Sequence, residues 1–99
     1  MIRATLQMKV KPGRAADFER AWEAIAANVR QAPGNLRQAL LKDPNDPDSF
    51  VLTSDWDSRE QFHAFERSPE QDELTAPLRE LRESASMVIY QLIRHVEGA

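Results

Sequence analysis

Apolar and polar side chains alternate from Ile2 to Lys11. Ile2, Ala4, Leu6, Met8 and Val10 fall on one side, with Arg3, Thr5, Gln7 and Lys9 on the other. A period of two sends successive side chains to opposite faces, so this stretch predicts a strand with two unlike faces. Pro12-Gly13 ends it. From Arg14 to Gln31 the period changes: Phe18, Ala21, Trp22, Ile25 and Val29 recur in steps of three and four, which gathers them on one stripe of a helix. Pro33-Gly34 closes that helix. Two more strand-like runs, Leu36 to Lys42 and Phe50 to Trp56, flank DPNDPDS, whose residues favour turns through fixed φ and local side-chain hydrogen bonds. They predict a hairpin with a long loop.

A second helical region opens at DSREQ, where Asp57 with Glu60 or Ser58 with Gln61 fits a capping box. Asp57 is the expected cap, because its charge suits the positive helix end. Ser68-Pro69 predicts a restart, with a cap and a proline at the first helical position. Pro77 predicts a break or kink before LRELRE. The last run, Ser86 to Val96, is strand-like, with Val88, Tyr90 and Leu92 on one face and Met87, Ile89 and Ile93 on the other.

The element order is β-α-β-β-α-β. It predicts an α+β, ferredoxin-like antiparallel sheet with helices on one face, in a single domain over residues 1–99. The final strand carries large apolar residues on both faces, whereas a sheet with one wet face should alternate cleanly. A second copy of the chain is therefore expected to cover the helix-free face.

Composition narrows the function. Hydrophobic residues at 41% and charged residues at 29% suit a globular protein. No apolar run approaches the ~20 residues that span a bilayer, so no membrane partner is expected and the cytoplasm is the default location. Thirteen basic and 16 acidic residues, net charge −3, are interspersed without a basic block, which argues against nucleic acid. With no cysteine, disulfides, thiolate nucleophiles and cysteine-ligated metals are excluded.

The chain has no Gly-rich phosphate loop, GxSxG or HExxH. It has two histidines, His63 and His95. His63 stands at helical spacing from Glu60 and Glu66, too small a ligand set for a metal site, so no metal is expected. The aromatic residues carry more information. On the third strand Phe50, Leu52, Ser54 and Trp56 share a face, and Phe18, Trp22, Phe62 and Phe65 could reach it from the helices. Such a group either fills a core or closes around a planar ligand. Asp55 points the other way, together with Thr53, and Arg3, Thr5, Gln7 and Gln91 are expected to join them as a polar interface network.

MKVKPGRAADFERAW, the APGNL junction and VLTSDWDSREQFHAFERSPE together resemble the antibiotic-biosynthesis monooxygenase family of small dimeric α/β barrels. The likeness covers nearly the whole chain and is nearest to members of aromatic (type II) polyketide and spore-pigment pathways. The resemblance implies a homodimer with an apolar pocket in each subunit. It also implies O₂-dependent oxidation of a polycyclic phenol, such as an anthrone, with no metal, flavin or haem cofactor. On that likeness Trp56 is the catalytic residue, contacting an aromatic polyketide substrate by stacking or through its indole N–H. Trp22, Leu52, Ser54, Phe62 and Phe65 line its binding site. Two positions depart from the family's anthrone oxygenases: Leu52 stands where they carry an asparagine, and Phe62 where they carry a tyrosine. The quinol-oxidising relatives' helix histidines are replaced by Phe65 and Glu70, and no histidine lies between Ser68 and Ser86 as a haem-degrading relative would need. A polyketide cyclase or folding aid is the alternative activity.

Overall fold

A computed structural model describes residues 1–99. The elements are β1 (Ile2–Val10), α1 (Ala15–Val29), β2 (Asn35–Lys42), β3 (Ser49–Trp56), α2 (Arg59–Arg67), α3 (Pro69–Leu81) and β4 (Arg82–Gln91). The strands form one antiparallel sheet in the order β2-β3-β1-β4, so the molecule has the ferredoxin-like α+β arrangement that the element order predicts. No helix is long and apolar enough to cross a membrane.

Strand register decides what each face presents. In β1, Ala4 lies between Ser54 and Ile89, and Leu6 between Leu52 and Met87. The even residues of β1 and β3 therefore face the helices. The apolar stripe of α1 packs onto them, with Phe18, Ile25 and Val29 buried. Phe18 meets Phe50 with ring centroids 5.1 Å apart. Removing each such side chain from water contributes about 1.5–3 kcal/mol. On the helix-free face Arg3 stands beside both Asp55 and Tyr90, and Thr5 beside Thr53 and Val88. Leu41, Val88 and Tyr90 are exposed there.

Turn chemistry is local. Gly13 and Gly34 adopt φ of 79° and 87°, a left-handed conformation that side chains disfavour. A side chain at Gly34 would also collide with Gln61. In the hairpin loop the Asp43 carboxylate accepts from Asn45 N–H at 2.8 Å, and that of Asp46 accepts from Asp48 N–H at 3.1 Å and Ser49 Oγ at 2.8 Å. Lys9 pairs with Asp46 from the neighbouring strand.

Four details depart from the sequence reading. Ser58, not Asp57, caps α2, its hydroxyl accepting from Gln61 N–H at 3.2 Å. The Asp57 N–H instead donates to the Gly34 carbonyl at 2.9 Å, which ties that residue into the preceding turn. Pro77 does not break α3, which runs through it to Leu81. β4 follows without a loop, beginning at Arg82 and ending at Gln91, so Leu92, Ile93 and Val96 lie beyond the sheet. Gln91 pairs with Ile2, which puts it on the helix side, and Tyr90 takes its place beside Arg3.

Candidate functional site

The helices do not seal the sheet completely. Between β1, β3 and β4 on one side and all three helices on the other lies a cavity of about 250 Å³, near the lower end of the ~300–1,000 Å³ usual for small-molecule sites. Its wall brings together Trp22, Leu52, Ser54, Trp56, Phe62 and Phe65, all six residues singled out from the sequence. Phe18 lies outside that wall, spent on Phe50 in the closed core.

Trp56 is held on several sides. It ends β3 between Ile2 and Asn35. Its ring lies 5.6 Å from that of Phe62 and 5.1 Å from that of Phe65, tilted by 56° and 40°. The indole N–H donates to Ser54 Oγ at 3.0 Å. Trp56 therefore offers a ligand its ring, with its N–H already committed; the free polar atom of this pair is the Ser54 hydroxyl hydrogen. The α2 residues reach the ring because Phe62 and Phe65, three apart, share one side of the helix that Ser58 starts.

Behind Trp56, on the opposite face, Asp55 is buried. Arg3 grips it with two bonds, Nε to Oδ1 at 2.6 Å and Nη2 to Oδ2 at 2.9 Å, and Arg37 Nη1 adds a third at 2.5 Å. The Arg3 hydrogen bonds hold the Asp55 carboxyl below the usual carboxylate range, and Arg37 reinforces them against the opposing effect of burial. Fully ionised and fully bonded, Asp55 is fixed in place and turned away from the cavity.

Most of the residues not anticipated from the sequence come from β1 and α3, with others from α1, β2, α2 and β4. Ala4, Leu6 and Met8 form the cavity floor, and their alternation was visible. Gln71, Thr75 and Leu78 also line it, at spacings of four and three, the stripe of a helix that continues past Pro77, and Arg82 follows at the start of β4. Expecting a break at Pro77 hid that stripe. Along the same helix Arg79 donates to Thr75 Oγ1 at 2.8 Å and lies 3.3 Å from Asp72. Neither histidine lines the cavity: His63 pairs with Glu66 at 3.3 Å, and His95, beyond β4, with Glu97 at 2.9 Å. No three His, Asp or Glu side chains gather into a metal-holding cluster.

A four-stranded sheet with helices on one face, enclosing a cavity that is aromatic around Trp56 and polar along α3, defines a small α+β protein with an internal pocket. The chain belongs to the antibiotic biosynthesis monooxygenase family, whose model matches residues 1–77. It is 28% identical over 97 residues to a 42.8 kDa protein in the whiE locus of Streptomyces coelicolor and 26% identical over 93 residues to protein SchA of Streptomyces halstedii. These matches cover 98% and 94% of this chain and 24% of each relative, so the chain spans about a quarter of their length. Among solved structures it superposes on SnoaB, a cofactor-independent oxygenase from Streptomyces nogalater, with a TM-score of 0.85 at 21% identity, covering 98% of this chain and 97% of that one. An antibiotic biosynthesis monooxygenase family protein from Bordetella bronchiseptica matches with a TM-score of 0.85 at 23% identity over 94% and 97% of the two chains. At these identities the structural likeness establishes the fold.

Proposed function

We propose that the chain is a cofactor-independent oxygenase of a polycyclic phenol, an anthrone-like intermediate of aromatic polyketide assembly, using O₂ as co-substrate. The observation that carries this reading is the aromatic-walled cavity beneath Trp56, lined by Phe62 and Phe65. The chemistry needs no added reductant. Loss of a proton from the anthrone CH₂ gives a delocalised carbanion, which passes an electron to O₂. Recombination forms a C–O bond, and the hydroperoxide loses water to leave a ketone. One oxygen atom ends in the quinone and the other in water. The protein's part is to hold the ring system flat and keep the reacting carbon from bulk water. Trp56 and Phe62, almost wholly buried, supply rigid walls for that. The exposed Leu41, Val88 and Tyr90 on the opposite face suit coverage by a second copy, and a homodimer is part of the proposal; sedimentation as a monomer at micromolar concentration would remove it.

The decisive experiment is O₂ uptake by metal-free protein with an anthrone-type tricyclic phenol, beside a Trp56→Phe variant. Protein-dependent uptake with quinone formation, reduced in the variant, is expected. Binding without uptake overturns oxygenation and favours a polyketide cyclase or folding aid. Leu52 and Phe62 favour that second reading, because they add no hydrogen-bonding group to the wall.

A further inference from the structure

Nearly every polar side chain on the cavity wall is already engaged. Gln38 donates to the Ala26 carbonyl at 3.0 Å, Ser54 accepts from Trp56, Glu66 faces His63, and Arg79 holds Asp72 and Thr75. Two residues are left over. Arg82, half-buried where α3 passes into β4, has neither an ion-pair partner nor a side-chain hydrogen bond, and it is the one cationic group on the wall without a carboxylate partner. Gln71 presents a buried Oε1 that accepts from nothing.

We propose that Arg82 and Gln71 are the ligand-recognition residues of this cavity: Arg82 pairs with an ionised phenolate or enolate oxygen of a planar ligand, and Gln71 Oε1 accepts from a hydroxyl elsewhere on the same ring system. The inference rests on the cavity being the substrate site. Its physical basis is the cost of leaving polar groups unpaired away from water. Burial, and then the like charge of Arg79, lower the Arg82 pKa from its ordinary value, yet a guanidinium keeps its proton at neutral pH. It is thus a cation short of a counter-charge, on a wall whose other arginine, Arg79, already pairs with Asp72. The planar guanidinium fork matches an oxyanion flanked by a second oxygen, as in hydroxylated quinones and β-diketone enolates. Gln71 lies in the first turn of α3 and Arg82 caps its far end, about three helical turns on, so a ligand touching both is elongated, as fused rings are. Arg82 lies beyond the residues that match the family model, which end at residue 77, so it adds to what family membership conveys.

The test uses a dihydroxyanthraquinone singly ionised at the working pH, with its second hydroxyl protonated, and the ether made by O-methylating the ionising hydroxyl, each titrated by tryptophan fluorescence quenching. Wild type should prefer the ionised probe. Arg82→Met should weaken it about ten- to a hundredfold, the loss expected for a charge-assisted hydrogen bond, and leave the ether unchanged. Arg82→Lys should recover part of the preference, and Gln71→Leu should weaken the hydroxylated probe about fivefold. Equal losses for both probes in Arg82→Met, or no loss for either, overturn the assignment while leaving the cavity as the site. Failure of wild type to bind either probe overturns the cavity reading itself.

Discussion

Asp55 and Trp56 are neighbours in the chain and equally inaccessible, each at 1% exposure, yet opposite physics buries them. Trp56 lies in the helix-side layer among Phe62 and Phe65, stabilised by the apolar surface it withdraws from water and beside space that a ligand can fill. Asp55 lies on the helix-free face under two guanidiniums, stabilised because both of its oxygens are bonded. The strand's period of two is all that separates them. A residue's burial therefore says little about its role until the face is known. The helix-side face keeps a cavity and leaves Arg82 uncommitted. The other face satisfies its buried charge completely and exposes Leu41, Val88 and Tyr90 instead. The proposed chemistry belongs to the first face, and the proposed assembly to the second.

Breaking the aromatic side should have the largest effect. Trp56→Ala removes a fully buried indole and is expected to cost about 3–5 kcal/mol in chemical denaturation, together with most of the affinity for a planar phenol. A variant that unfolds normally and binds the phenol unchanged would take Trp56 out of the site. On the opposite face Asp55→Ala should cost less, about 2–3 kcal/mol, because Arg3 and Arg37 are partly exposed and can turn to water. Ligand affinity should hold in that variant; a parallel loss of affinity would mean that the two faces are coupled through β3.

The smallest effect is a pH dependence that sharpens the same contrast. Hydrogen bonds from Arg3 lower the Asp55 pKa, and the Lys9 ammonium pulls that of Asp46 down to about 2. A depressed carboxyl pKa contributes stability that is present above the unfolded value of ~3.9 and lost as pH falls through the folded value. The melting temperature should therefore hold steady above pH ~5 and fall from about pH 4 towards pH 2. Asp55→Asn should make that acid slope shallower. An unchanged slope would show that the carboxylate's arginine bonds add nothing to folding.

Much of this was legible along the chain. The period-two runs of β1 and β3, the three-and-four spacing of α1 and the Pro-Gly and Ser-Pro punctuation specify the element order, because backbone geometry alone ties side-chain periodicity to face. That periodicity also put Trp56 and Asp55 on opposite sides and grouped Leu52 and Ser54 with Trp56. Helix ends were less legible. Ser58 and Asp57 are both competent caps, and the choice fell to the chain path, which sends the Asp57 N–H to Gly34. Pro77 disfavours a helix interior only locally, and packing of Leu78 into the core carries α3 through it. Tertiary structure alone decided the rest: that Phe18 closes the core while Trp22 borders open space, that Tyr90 rather than Gln91 flanks Arg3, and that Arg82 arrives at the cavity without a partner. Those outcomes depend on strand register and on which hydrogen bonds distant segments complete, and neither is encoded in any single stretch of residues.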